Sequence, residues 1–264
     1  MYLKYWGLKK FPFDNVADPS FFYLSKTHEE ALSRLLYASN MSKGGAMLTG
    51  EIGCGKTLLS KIYMKKLKEE GSEVSLLINP PLGSIVFLQE ILNQFGVTNS
   101  RASKAQLLRT LNKKIIDNME QNKETIIIID EAQILNDRTL EEARLLLNFQ
   151  TNSRFLLTIV LIGQTELRVK IKLMKQLDQR IAIRYHLQPF HFLDTVNYIK
   201  FREKMAGFTK NIFAAKAIEK IYQYTGGVPR KINSLCDLSL LVAFNQKRKI
   251  INSSIIDNVI NELD

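Results

Sequence analysis

The chain has 264 residues, 45% of them hydrophobic and 24% charged, the composition of an ordinary soluble globular protein with room for one domain and a smaller second one. Its longest apolar run, Phe155 to Gly163 with one Thr inside, is far short of the roughly 18 residues that suggest a membrane span. Thirty-seven Lys and Arg against 26 Asp and Glu give a net charge of +11 and a pI near 9.5, a balance that attracts polyanions, nucleic acid or an acidic membrane face, without choosing between them.

The first residues, Met1 to Gly7, carry no apolar signal core or small-residue cleavage site, so a cytoplasmic location is expected. From Tyr2 to Tyr23 the chain then holds Tyr5, Trp6, Phe11, Phe13, Phe21 and Phe22 around Pro12 and Pro19, too aromatic for a disordered arm. Two readings stand side by side. The rings strap across the following domain and bring an aromatic near a bound base, or they cover an apolar face.

A short strand, Ala46 to Thr49, leads into Gly50-Glu51-Ile52-Gly53-Cys54-Gly55-Lys56-Thr57, a complete G-x-x-x-x-G-K-T phosphate-binding loop. The glycines let backbone N–H groups wrap an anion, Lys56 reaches the β- and γ-phosphates, and the Thr57 hydroxyl holds Mg²⁺. The helix that follows, opening at Leu58, points its positive N-terminus at the same phosphates. The chain is therefore expected to bind ATP with Mg²⁺. Cys54 is read as a small tolerated spacer; it and Cys236 lie far apart, without C-x-x-C or metal spacing, and His28, His186 and His191 do not pair as ligands.

Strand-like runs recur at Val74 to Asn79, Ile126 to Asp130 and Leu156 to Ile162, with a short fifth at Arg184 to Leu187. Helical patterns lie between them at Leu58 to Glu70, Ser84 to Gly96, Lys104 to Glu120 and Thr139 to Asn148. This alternation predicts an α/β fold: a three-layer αβα phosphate-loop domain around a mostly parallel sheet. Four successive isoleucines, Ile126 to Ile129, predict a strand buried on both faces. Its polar end must emerge at the carboxyl edge of the sheet, where Asp130 joins Thr57 on Mg²⁺ and Glu131 polarises an attacking water. After Pro189 only helical segments remain, at Leu193 to Ala206, Ala214 to Thr225, Pro229 to Asn245 and Asn252 to Leu263. The expected organisation is an aromatic strap over residues 1–26, the αβα domain over 27–188 and a small all-helical lid over 189–264.

The order of phosphate loop, Asp-Glu strand, polar strand end and helical domain resembles the AAA+ ATPases. More narrowly, Tyr5-Trp6-Gly7-Leu8 with Pro12-Phe13, Asp130 to Gln133, Leu161 to Leu167, Gln179-Arg180-Ile181 with Tyr185-His186-Leu187, and Gly226 to Asn233 with Leu235-Cys236-Asp237 resemble the ExeA/GspA family. That family includes ATPases of type II secretion and type IV pilus assembly. The chain is similar, less closely, to the TnsC and TniB regulators of transposition, which assemble on DNA. The resemblance implies a catalytic set of Glu131, Gln164 at the sensor-1 position, Arg180 as arginine finger with Arg184 the second candidate, and Arg230 as sensor 2. It further implies a homo-oligomeric ring or filament and a protein partner in a secretion or pilus system, with double-stranded DNA as the alternative ligand. Full-length secretion members continue into a transmembrane helix and a peptidoglycan-binding region that this sequence does not contain, so action on the cell wall, or attachment to the inner membrane, is expected to need a partner.

Overall fold

Five short apolar segments pair into one sheet in the computed structural model, which describes residues 2–98, 101–208 and 211–263. They are β1 (Gly45–Gly50), β2 (Glu73–Leu77), β3 (Thr125–Ile129), β4 (Thr158–Gly163) and β5 (Ile181–Leu187), in spatial order β2-β3-β4-β1-β5. Every pairing is parallel. Ile126 to Ile129 are fully buried, as a central strand covered by helices on both faces requires. The order sets β3 beside β4 and β4 beside β1, so the loops leaving these three strands open side by side at the carboxyl edge.

The helices are α1 (Leu3–Trp6), α2 (Lys26–Asn40), α3 (Lys56–Glu69), α4 (Ser84–Gln94), α5 (Lys104–Glu120) and α6 (Asp137–Leu146). They continue with α7 (Thr165–Leu173), α8 (Lys175–Asp178), α9 (Phe192–Met205), α10 (Ala215–Thr225), α11 (Pro229–Asn245) and α12 (Ser253–Leu263). Four of them, α1, α2, α7 and α8, are absent from the sequence expectation. In α7, Leu167 and Ile171, four apart, are both fully buried, the spacing that turns one helical stripe inward. β5 starts at Ile181, three residues before its expected start, because Ile181 and Ile183 pair with Gly45 and Ala46 of β1 across a register shift.

The chain divides into two compact units, His28–Ile52 with Lys56–Leu187, and Met1–Thr27 with Gly53–Gly55 and Gln188–Asp264. The first contains the sheet. Its core joins Met47, Ile127, Ile129, Ile159 and Leu161 of the strands to Phe87, Leu88, Leu111 and Leu140 of the helices. The second is helical, and the N-terminal rings belong to it. Tyr2, Trp6 and Phe13 share one core with Ile199, Ile221, Leu235 and Ile256, so these rings cover an apolar face, that of the helices after Pro189. Polar anchors fix them there. The Trp6 indole donates to the Leu240 carbonyl at 3.2 Å, and the Lys9 amide donates to the Ala206 carbonyl at 2.8 Å. The buried Arg202 guanidinium donates to the Pro12 carbonyl and, at 2.7 Å, to that of Asp14, and lies 4.6 Å from the Phe21 ring centre.

Glu203 gives this unit a pH dependence. It is 4% exposed, accepts the Ile212 amide at 3.1 Å, and burial pushes its carboxyl up to about 7. Between an unfolded value near 4.5 and that folded value, the native chain holds a proton that the unfolded chain has released, so stability falls as pH rises through this window, by up to roughly 3 kcal/mol. Glu203→Gln keeps the acceptor and removes the charge. Its melting temperature is expected to exceed the parent's by at least about 5 °C at pH 8 and to approach it at pH 5. Parallel melting curves across that range would show that the charge carries no cost.

Candidate functional site

The loop from Gly50 to Thr57 turns on two glycines in the left-handed region, Gly53 (φ +86°) and Gly55 (φ +90°), a conformation that side chains bearing Cβ resist. α3 starts at Lys56, so its first-turn N–H groups face the loop. Lys56 is 6% exposed, and its ammonium donates to the carbonyls of Gly50 (2.9 Å) and Glu51 (2.8 Å). Those two bonds hold a cation at the mouth of the loop. Glu51 and Ile52 are exposed, Cys54 is buried, and Thr57 and Leu58 are half-buried in the first turn of the helix.

Asp130 follows β3, its amide bonded to the Leu77 carbonyl at the end of β2 (2.8 Å). Its carboxyl is fully buried. One oxygen, Oδ1, accepts the Glu131 amide at 2.9 Å, while Oδ2 meets no protein donor within hydrogen-bond geometry. Burial pushes this carboxyl up, opposed by the nearby Thr57 hydroxyl and the Glu131 amide. A buried carboxylate oxygen without a protein donor, next to a hydroxyl, is the oxygen-rich donor set that Mg²⁺ accepts. A bound divalent cation would offset the cost of that burial, so these residues fit Mg²⁺.

Glu131 stands in the left-handed region at φ 53°, ψ 34°, uncommon for a residue other than glycine and a strain that surrounding contacts must hold. Those contacts come from Gln133. Its side-chain amide donates to Glu131 Oε2 at 2.5 Å, and its Oε1 accepts the Gln164 backbone amide at 3.1 Å. The Gln164 side chain reaches the same Glu131 oxygen at 3.4 Å. Gly163 makes room for this arrangement, since a Cβ there would come within 2.6 Å of Gln133 Oε1. Gln164 and Glu131, 33 residues apart in sequence, are thus joined through Gln133. Sequence reasoning gives Gln133 no role of its own; the signal that finds it is its place two residues after Glu131, in the short 3₁₀ turn Ala132–Ile134.

The two arginine-finger candidates differ. Arg184 donates to the Asp178 carboxylate at 2.7 Å and to the Asp178 carbonyl at 2.5 Å. Arg180, in the turn between α8 and β5, donates to the neutral Asn148 side chain at 3.1 Å. In the helical unit, the exposed Arg230 opens α11 after Pro229, and its amide donates to the Gly53 carbonyl at 3.2 Å. A Cβ at Gly53 would stand 2.7 Å from that of Arg230, so only glycine fits.

A parallel sheet in this order, a glycine-turned loop running from β1 into a helix, and an Asp-Glu pair ending β3, one strand beyond β1's neighbour β4, define a phosphate-loop protein of AAA+ fold. The chain belongs to the AAA domain family (AAA_22), whose model matches residues 39–171. It is similar to General secretion pathway protein A of Aeromonas hydrophila, 37% identical over 259 residues, a match covering 97% of this chain and 47% of that protein. The chain therefore spans about half the length of this curated relative. Among solved structures, the Aeropyrum pernix ORC2 protein in its ADPNP–ADP complexes matches with TM-score 0.71 at 18% identity, over 96% of this chain and 72% of that one. Drosophila ORC bound to DNA matches with TM-score 0.68 at 17% identity (96% and 66%), and the Thermotoga maritima RuvB Holliday junction branch migration motor with 0.53 at 18% (90% and 69%). At these identities the likeness is one of fold. No helix among the described residues is long and apolar enough to cross a membrane.

Proposed function

We propose that the chain binds ATP with Mg²⁺ and hydrolyses it to ADP and phosphate, and that this cycle switches a homo-oligomer, ring or filament, serving secretion or type IV pilus assembly. The observation that carries the reading is Glu131, held in a strained conformation by Gln133 and Gln164 beside a buried Asp130. Lys56 and the loop amides take the β- and γ-phosphates, with Leu58 in the first turn behind them. Thr57 and Asp130 are the residues to hold Mg²⁺, which neutralises phosphate charge when bound. Glu131 accepts a proton as a water oxygen attacks the terminal phosphorus and the bond to the bridging oxygen breaks, while Gln164 orients that water. Arg180, held by a neutral amide rather than an ion pair, is the better finger to reach a neighbouring subunit, and Arg230 couples the helical unit to the nucleotide. Action at the cytoplasmic face of the inner membrane, through a protein partner, suits the similarity to General secretion pathway protein A.

A second reading, an ATP-gated assembly on double-stranded DNA, is favoured by the net charge of +11. ATPase activity measured against protein concentration, with and without duplex DNA at low and moderate salt and with Lys56→Ala as a blank, separates the two. Turnover indifferent to DNA but rising steeply with protein concentration supports the secretion or pilus switch. DNA stimulation that fades as salt rises moves the DNA reading ahead, and a parent chain no faster than the blank ends both.

A further inference from the structure

We propose that the turn joining α11 to α12, together with Tyr5, forms a binding site for single-stranded nucleic acid, separate from the phosphate loop. Tyr5, Phe244, Asn245, Lys247 and Lys249 line a concavity of about 500 Å³ in the helical unit. Two rings, Tyr5 and Phe244, 5.3 Å apart between centres, contribute apolar surface, and the exposed Asn245, Lys247, Arg248 and Lys249 surround it. Aromatic faces within a cationic setting are the chemistry by which unpaired bases stack while their phosphates meet ammonium groups. An acidic lipid surface would use the same charges, but it is flat and has no ring to stack.

The arrangement is pinned. The Tyr5 hydroxyl donates to the Arg248 carbonyl at 2.8 Å, fixing the turn to the ring. Lys247 follows the C-cap of α11 at φ +55°, where glycine sits at lower cost, and its side chain lines the concavity. Lys249 lays its ammonium 3.9 Å from the Tyr5 ring centre, a contact weak enough on an exposed side chain for an incoming base to displace. The same cations complement the carbonyl end of α11, a role that oligonucleotide binding would not register.

Fluorescence anisotropy of labelled dT20 with the full chain, without ATP, tests the site beside a duplex and an abasic strand of equal length. The expected result is binding that weakens about twentyfold between 50 and 200 mM salt, as roughly three phosphate contacts require. The Lys247→Glu/Lys249→Glu chain is expected to bind at least tenfold more weakly, and the abasic strand at least about fivefold more weakly than dT20. Lys56→Ala is expected to bind like the parent; loss of binding there would place the strand on the phosphate loop and overturn the proposal. So would a double variant that binds dT20 unchanged, equal affinity for abasic strand and dT20, or capture by phosphatidylserine vesicles in preference to dT20, which would assign the cations to a membrane surface.

Discussion

Glu131→Gln is expected to lower ATP turnover by at least about a thousandfold while leaving ATP affinity within a few-fold of the parent. A positioned base contributes about 10² to 10⁴ in rate, and here the carboxylate is the group the surroundings work to hold. Its backbone sits in the left-handed region, and its Oε2 takes one bond from Gln133 and a longer one from Gln164. Glutamine has nearly the same shape and cannot accept the proton, so the loss falls on the chemical step. Binding survives because the phosphates and Mg²⁺ are assigned to Lys56, the loop amides, Thr57 and Asp130. Steady-state phosphate release and titration with a fluorescent ATP analogue read the two quantities separately. Turnover within threefold of the parent would remove Glu131 from the mechanism and leave a nucleotide-binding scaffold.

The second large effect is expected at Arg180. In the oligomer Arg180→Ala is expected to lose about 10³-fold in turnover, the lower end of what a finger supplied in trans contributes, again with ATP affinity retained. Its side chain is partly exposed and donates to the neutral Asn148 side chain, with no ion pair among the described residues, so truncation is expected to leave the fold intact. Mixing supplies the decisive measurement. Lys56→Ala subunits cannot hold ATP but still offer Arg180, whereas Arg180→Ala subunits hold ATP and lack the finger. Equal amounts, each silent alone, are expected to recover about a quarter of the parent's activity through interfaces that pair a sound site with a sound finger, as head-to-tail contacts allow. A silent mixture means that Arg180 acts within its own subunit or only on folding. Should Arg184→Ala be the variant rescued by mixing, the Arg184–Asp178 pair opens on assembly and the assignment moves to Arg184.

Much of the site is legible because its chemistry is local in sequence. A phosphate loop needs its glycines, lysine and hydroxyl within eight positions, since consecutive backbone amides do the wrapping. The Ile126–Ile129 run, with Asp130 and Glu131 behind it, declares a doubly buried strand with an acidic exit. Helix boundaries after Pro189 follow stop signals at Gly207 and Gly226, both at positive φ in the structure.

What depends on distant partners is not legible in this way. The sequence by itself determined the αβα class, the phosphate loop and the acidic strand end, because each follows from residue types within one element or one turn. Tertiary structure alone decided that Gln133 ties Glu131 to Gln164, that Asp178 occupies Arg184 and leaves Arg180 to a neutral amide, and that Tyr2, Trp6 and Phe13 complete the core of helices more than 180 residues away. A strand order fixes which loops meet, and an aromatic ring buries itself against whichever apolar face the chain's return brings to it. Neither is written in the spacing of neighbouring residues.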